Sequence, residues 1–415
     1  MSKEDRKVVV TGMGMISPIG NNVAQSWESL LNGKSGIQRI TLFDTDGFSC
    51  KIAGQVKDES YDTDLPYSRG TYFGLTASKE ALEDGNLINN GEILEEMAVY
   101  IGNSGSRTGL NDFSREFQAR NLKELTLKNL NSDSQFDKSR YSAAAETIAK
   151  KLNLYGGCYS ITTACASGTQ AIGLAYESIK AGENTVVLAG GCDAMITEID
   201  LMGFCMLGAV TSEYNENPLK GSRPFNKDRS GFVLGEGAGM LILEEKEHAL
   251  KRNAKIYAEI AGFGNAISGY SILDTPPNGE NLAQAMRNAL AEAGIDKMQI
   301  GYINAHGTST RDNDSSEAAA VTEVYGEDTM NIPISSTKAS TGHLISGAGA
   351  IEAVFSIMAL NDQCLPPTLN LEDIDGKCSL FHIHKALKRE VNYVMSNSLG
   401  FGGSNASIIF RRIAK

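Results

Sequence analysis

Cys165 stands in SITTACASGTQAIG (160–173), flanked by small residues on both sides. Beyond it, Ile172, Tyr176 and Ile179 keep the i, i+4, i+7 spacing of one helix face, and Gly182 supplies a stop. That spacing predicts a helix whose N-terminus lies at or next to the cysteine. Free N–H groups and the positive dipole end stabilise a thiolate there and lower its pKa. The same setting also suits an inert cysteine, because free Cys is among the most buried residue types. Two of the five histidines sharpen the reading: His306 in NAHGTST and His343 in KASTGHLISGAGA sit among Gly, Ser and Thr. A thiol with two such imidazoles matches activated-thiol catalysis, in which an imidazole supports the thiolate or donates to a carbonyl.

The other motifs carry less chemistry. His248 in EEKEHALK reads as a solvated helix residue. His382 and His384 in FHIHKAL would share a strand face, but no third ligand accompanies them, so no metal site is expected. GFGGSN (400–405) lacks the lysine of a phosphate loop and is followed by a strand. It reads as a turn that delivers backbone N–H groups and the ring of Phe401.

Elements able to position these residues are legible. KVVVTGMG (7–14), MAVYIGNSGS (97–106), TVVLAGGCDA (185–194), GYINAHGTST (301–310) and ASIIF (406–410) read as buried strands feeding loops. Helices are expected between them, from Ser26 to Gly33 in SWESLLNGKSG and through GENLAQAMRNALAEAG to Gly294. The alternation predicts an α/β architecture. The charged EEKEHALKRNAK suggests two halves, 1–252 carrying Cys165 and 253–415 carrying the two histidines. A strand-to-turn unit bearing Cys165 in one half and His306 in the other suggests an internal duplication. Residues 107–141 read as a polar surface excursion.

Composition narrows the classes. The chain has 415 residues and 41% hydrophobic content, enough for a substantial core, and its net charge of −12 argues against nucleic-acid binding. Seven scattered cysteines without a CxxC pair argue against a disulfide framework and fit a reducing cytoplasm. No apolar run has membrane-span length, and MSKEDRKVVVTGMG is too short in apolar residues for a signal peptide.

TTACASGTQAIG, NAHGTST, SSTKASTGHLISGAGAIEA and NSLGFGGSNASIIF resemble the motifs of β-ketoacyl-acyl-carrier-protein synthases of the elongating, synthase II type. SRPFNKDRSGFVLGEGAGMLILEE (222–245) and LPPTLNLE (365–372) extend the resemblance along nearly the whole chain. It implies a thiolase-like, five-layered αβαβα fold of two similar halves, usually dimeric, that performs a decarboxylative Claisen condensation in fatty-acid synthesis. By motif position, Cys165 would take an acyl group from an acyl carrier protein or coenzyme A thioester. His306 and His343 would hold the malonyl thioester carbonyl, and the N–H groups of Cys165 and Phe401 would form the oxyanion hole, with Phe401 also gating entry. Lys338 would pair with Glu352 to organise the site, Asp314 and Glu317 would support the loop of His306, and Thr308 and Thr310 would contact the phosphopantetheine arm. No cofactor or metal is implied beyond that arm.

The chain departs from this pattern in places. The family's basic run is replaced by LPYSRGTYFGLTASKEAL (65–82), where only Arg69 and Lys79 are positive, although carrier proteins are acidic and dock on basic patches. Ser271 replaces a histidine after Tyr270, and Leu399 a phenylalanine beside the gate. The ND of HGTSTRDNDSSEAAA resembles ketosynthase subunits of type II polyketide or polyene systems, which pair with a chain-length-factor homologue lacking the cysteine. Homodimer and heterodimer therefore both stand as expectations. A degradative thiolase would need a second cysteine that SLGFGGSNAS lacks, and a non-catalytic acyl- or carrier-binding subunit is the alternative outside enzymes.

Overall fold

β-Branched apolar runs become the strands that carry the architecture. The computed structural model describes residues 6–58, 60–62, 65–105 and 140–413; most of the 107–141 excursion lies outside them. The strands that matter here are β1 (Val8–Ile16), β2 (Ala98–Gly102), β3 (Cys158–Ile161), β4 (Val186–Ala194), β5 (Glu236–Glu245), β6 (Ala258–Ile267), β7 (Ile300–Asn304), β8 (Pro333–Ser335), β9 (Tyr393–Leu399) and β10 (Ser404–Arg411). The helices are α1 (Val23–Leu31), α2 (Arg69–Asp84), α3 (Ala143–Leu152), α4 (Ser167–Ala181), α5 (Glu198–Met206), α6 (Glu280–Ala293), α7 (Arg311–Tyr325) and α8 (Ala348–Asp362).

Hydrogen bonds join the strands in the order β8-β7-β9-β10-β6-β1-β5-β4-β2-β3, with the short strand Phe381–His382 outside β8. The seam between β6 and β1 is brief, pairing Val8–Val10 with Ile260, Glu259 and Ala258. On either side of it the pattern repeats. The first strand of each half pairs antiparallel with the fifth, and the fifth antiparallel with the fourth. The fourth then pairs parallel with the second, and the second parallel with the third.

Helix character follows layer position. α2 and α3 cover the outer face of the first unit, α6 and α7 that of the second, and α4 and α8 pack between them. α6 buries one stripe, including Leu282, Met286 and Leu290, as a surface helix must. α8 buries residues on every side, from Ala348 to Leu360, because a sheet or helix faces it in each direction. The result is the five-layered αβαβα, thiolase-like fold. No helix among the described residues is long and apolar enough to cross a membrane.

Two local expectations need correction. The first helix begins at Val23 rather than Ser26, because the Asn22 side chain accepts the N–H of Gln25 and caps it earlier. The duplicated turns are also not those of Cys165 and His306. Cys165 follows the third strand of its half, whereas His306 follows the second strand of the other. The counterpart of the Cys165 turn is the segment before α8. Ala164 and Ile345 each have φ of 49° and each stand three positions before a central helix, so Ser346 occupies the place of Cys165.

Arg69 has a structural assignment instead of the surface one. Its Nη2 and Nε bond both oxygens of Glu236 at 2.7 and 3.0 Å, and its guanidinium lies 4.8 Å from the rings of Tyr61 and Phe73. The side chains of Arg69 and Glu236 are 18% and 1% exposed, so this cation is unavailable to a docking partner. Arg69→Met should lower stability by about 3–5 kcal/mol, since it strands a buried carboxylate. The urea midpoint measures this, and a loss below about 1 kcal/mol would place the pair with dispensable surface bridges.

Candidate active site

The Cys165 turn is built by short polar ties. Ser167 Oγ receives the N–H of Thr163 at 2.9 Å and donates to the Ala164 carbonyl at 2.6 Å, holding Ala164 at its positive φ. α4 begins at Ser167, so Cys165 lies just outside a helix N-terminus. Its side chain is 4% exposed, in an apolar cluster with Met195, Ile196, Phe232 and Ile345. This burial overturns the expectation of a depressed thiol pKa. Desolvation pushes Cys165 up to about 12, although the Lys338 ammonium and the N–H of Phe401, donated to the sulfur, act in the opposite direction.

His306 follows β7 on a loop whose donors are all engaged. Glu317 accepts the N–H groups of His306 and Gly307 at 2.9 and 2.8 Å. Asp314 accepts those of Thr308 and Ser309 at 2.9 and 3.2 Å, and that of Phe225 at 2.8 Å. Arg229, fully buried, backs Asp314 at 3.4 Å. His343 is held differently. Its N–H bonds the Val233 carbonyl at 2.7 Å and its carbonyl accepts from Gly235 at 2.9 Å, which clips it to the segment leading into β5. Its ring stands edge-to-face on Phe232 and on His306, at centroid distances of 5.3 and 5.2 Å.

The hydrogen-bond partners settle the tautomers. Lys338 Nζ lies 3.2 Å from His306 Nδ1, and an ammonium can only donate, so Nδ1 accepts. The N–H of Ile345 donates to His343 Nδ1 at 3.2 Å. Each ring therefore carries its proton on Nε2. Burial, and then the Lys338 charge, hold both imidazoles well below their usual pKa and so neutral. Lys338 also bonds Glu352, whose carboxyl burial pushes up to about 7.

The sulfur and one ring nitrogen of each histidine lie within 4.8 Å of one another. Such a trio could hold a soft cation only with the thiol deprotonated and each Nε2 freed by moving its proton to Nδ1. They face a cavity of about 410 Å³ that is also lined by Thr308, Thr310 and Phe401. The Thr308 and Thr310 hydroxyls lie 2.8 Å apart. Lys338, Asp314 and Glu317 stand behind this lining, bonded to it, and Glu352 stands behind Lys338. An arrangement of one thiol and two neutral N–H donors can accept an acyl group and stabilise negative charge on a carbonyl oxygen of a second reactant.

Some members of this site were missed by sequence reasoning. Asp193 accepts the N–H of Ser346 at 3.2 Å, and Ser346 Oγ bonds Ser104 Oγ and the Ala164 carbonyl at 2.5 and 3.3 Å. The signal available was an acid in the otherwise apolar VVLAGGCDAM. His382 and His384 do not converge: the strand ends at His382, which bonds the Cys378 carbonyl at 2.8 Å, while His384 bonds that of Leu371 at 3.2 Å. His248 is tied to Glu244 at 2.6 Å rather than free in solvent.

The β-ketoacyl synthase N-terminal domain family matches residues 5–249, and the C-terminal domain family residues 257–372. The 3-oxoacyl-[acyl-carrier-protein] synthase 2 of Vibrio cholerae is 41% identical over 424 residues, covering 100% of both chains. Among solved structures, a ketosynthase in complex with its type II polyketide acyl-carrier protein, bound to the hexaketide, aligns with a TM-score of 0.87. It is 33% identical and covers 99% of this chain and 100% of that one. The ishigamide ketosynthase/chain length factor aligns with a TM-score of 0.87 at 31% identity, covering 99% and 100%.

The raised thiol pKa has a measurable sign. A group whose charged form is disfavoured ionises at higher pH, so alkylation of Cys165 by iodoacetamide should keep accelerating through about pH 9. Peptide mass spectrometry separates it from the exposed Cys158. A plateau below about pH 8 would show that the helix terminus outweighs burial.

Proposed function

Because the chain belongs to the β-ketoacyl synthase family, we propose that the cavity around Cys165 is its condensing site, with the following division of labour. The observation that carries this reading is the convergence of one thiol with two imidazoles that both present Nε2–H. Cys165 Sγ attacks the carbonyl carbon of an acyl thioester on an acyl carrier protein. A new S–C bond forms, the carrier S–C bond breaks, and the proton passes to the departing carrier thiol. The N–H groups of Cys165 and Phe401 stabilise the oxyanion of this step and of the later condensation.

The malonyl thioester enters next, its arm running past Thr308 and Thr310. Nε2–H of His306 and of His343 both donate to the thioester carbonyl oxygen. As the carboxylate carbon leaves as carbon dioxide, the bonding electrons become an enolate held by those two donors. The enolate carbon attacks the acyl-cysteine carbonyl, a C–C bond forms, and the Cys165 sulfur leaves as a thiolate that takes a proton from water. Lys338 and Glu352 keep His306 in the required tautomer, while Asp314 and Glu317 hold its loop. Phe401 gates the second substrate.

We assign the reaction to elongation in fatty-acid synthesis, supported by the full-length synthase 2 relative. A second reading, the catalytic subunit of a type II polyketide or polyene pair, is favoured by the likeness to one type II polyketide ketosynthase and to one ketosynthase/chain length factor, and by the Asn313–Asp314 motif. A non-catalytic carrier-binding role conflicts with the intact trio. The substrates arrive on phosphopantetheine, and no other cofactor is needed for these steps. Seven free cysteines fit a cytoplasmic setting. The halves are divided at 252/253, in the turn between the short helix Lys246–Lys251 and β6.

The dimer edge is β3. It is the last strand of the sheet, and it carries Tyr159 at 49% exposure beside Tyr155 at 67%. An edge left unpaired among the described residues, with exposed aromatics, is a template for a second chain, either a copy or a chain-length-factor homologue. Tyr155→Asp with Tyr159→Asp should shift sedimentation toward monomer, and an unchanged sedimentation coefficient would move the interface elsewhere.

Cys165→Ala should form no acyl adduct in intact-protein mass spectrometry, yet still release carbon dioxide from malonyl-carrier protein, because both imidazole donors remain. Absence of any adduct on the wild-type protein, across acyl donors of several lengths, would overturn the condensing assignment. Co-purification with a cysteine-less homologue would favour the polyketide reading.

A further inference from the structure

In the proposed condensation His306 and His343 aim two Nε2–H groups at one oxygen, although they stand on separate loops. Segment 222–235, which leads into β5, bonds both loops. At its far end the Val233 carbonyl accepts the His343 N–H at 2.7 Å, and the Gly235 N–H donates to the His343 carbonyl at 2.9 Å. Nearer its start it holds the His306 loop. The N–H groups of Arg223 and Gly231 bond the hydroxyl and the carbonyl of Ser309 at 3.0 and 3.1 Å. That of Phe225 bonds Asp314, the carboxylate that gathers the Thr308 and Ser309 N–H groups.

This grip is conformationally demanding. Phe225 is fully buried at φ of 67°, a left-handed backbone that a bulky residue adopts only where its surroundings impose it. They do so from both sides, since Asp314 takes its N–H and the Asp375 N–H bonds its carbonyl at 3.0 Å. Arg229 locks the same turn. Its Nε–H bonds the Thr310 carbonyl at 3.0 Å, and Nη2 bonds the Arg311 carbonyl and Ser315 Oγ at 2.9 and 3.0 Å. Nη1 bonds the Asn226 carbonyl and Asp375 Oδ2 at 2.9 and 2.7 Å. Every guanidinium N–H thus finds an acceptor, and the side chain is fully buried outside the cavity lining.

We propose that segment 222–235 is a strap that fixes the spacing of the two imidazoles, with Arg229 as the positioning residue that locks it. The proposal rests on the division of labour set out above, in which both imidazoles serve the malonyl thioester. A hydrogen bond weakens steeply as its angle closes, so two donors converging on one oxygen tolerate little drift of either loop. A misplacement of about 1 Å at a reacting centre costs about 100-fold in rate. The Cys165 turn is tied elsewhere, through Ser167 and Ser346. The strap therefore bears on decarboxylation and not on acyl transfer to the sulfur.

Arg229→Lys and Asp375→Asn test this in two single-turnover steps, each run below the variant's thermal midpoint. The first is acylation of Cys165 by octanoyl-acyl carrier protein, read by intact-protein mass spectrometry. The second is carbon dioxide release when the acylated protein meets malonyl-acyl carrier protein. A lysine keeps the charge but cannot span the Thr310, Arg311 and Asp375 acceptors, so Arg229→Lys should slow carbon dioxide release by about 100-fold. Asp375→Asn, at a partly exposed site, leaves one acceptor oxygen for the donors of Arg229 and Lys377. It should slow the same step by about tenfold. Both variants should acylate at the wild-type rate, and in steady state the loss should fall on kcat for malonyl-acyl carrier protein rather than on KM. If Arg229→Lys does not fold, Asp375→Asn alone decides. Equal slowing of both steps, slowing confined to acylation, or undiminished carbon dioxide release in either folded variant overturns the strap. Wild-type protein that takes up no acyl group sinks the condensing assignment beneath it instead.

Discussion

Two glycines let the backbones of α4 and α8 touch, and the rest of the molecule is arranged around that contact. A Cβ on Gly168 would lie 2.8 Å from the Ser346 carbonyl oxygen and 2.9 Å from the Ala350 nitrogen. A Cβ on Gly349 would lie 2.1 Å from Thr169 Oγ1 and 3.0 Å from the Thr169 nitrogen. Both glycines are the second residue of their helix, so the contact is the same on each side of an approximate twofold. It presses two helix N-termini together between two sheets. The turn before each helix must then bend sharply, and Ala164 and Ile345 both do so at φ of 49°. For a β-branched residue that conformation costs on the order of 1–3 kcal/mol, tolerated because the surrounding packing leaves no alternative.

The twofold is broken at the residue that follows. Cys165 turns its sulfur toward the cavity, while its counterpart Ser346 turns its hydroxyl back onto the Ala164 carbonyl. Asp193 fixes the Ser346 N–H, and burial pushes its carboxyl up to about 7. One turn of the pair therefore presents a thiol to the cavity and the other braces it. The duplication supplies the scaffold, and divergence within it supplies the division of labour.

Much of this could be read from residue order, and the failures have physical causes. Strands such as VVLAGGCDA and helices such as ENLAQAMRNALAEA announce themselves through period and end signals, because their burial is one-sided or total. Cys165, His306 and His343 stood out because small polar neighbours are poor packing partners for a structural thiol or imidazole. The matching of turns failed because His306 and Cys165 share local chemistry but not strand position, which only sheet order reveals. The burial of Arg69 was not legible because Glu236, its partner, lies far away in the chain. The thiol pKa was misjudged for a related reason: the dipole is a local effect, but desolvation comes from Met195, Phe232 and Ile345, which sequence proximity to Cys165 does not predict.

Burial of the thiol, which raises its pKa, also governs how the site handles charge. Burial disfavours a resting thiolate and a resting imidazolium alike, and the Lys338 ammonium works with desolvation on the histidines but against it on Cys165. The cavity therefore rests with a neutral thiol and two neutral donors. Thiol exchange with a carrier thioester conserves protons, so acyl loading requires no permanent base. In the proposed condensation the negative charge of the second reactant's carboxylate moves to an oxygen facing two preoriented N–H groups. In a low-dielectric setting those donors act more strongly than they would in water. The high thiol pKa therefore burdens acyl loading, and once the sulfur is acylated it no longer bears on the charge of the site.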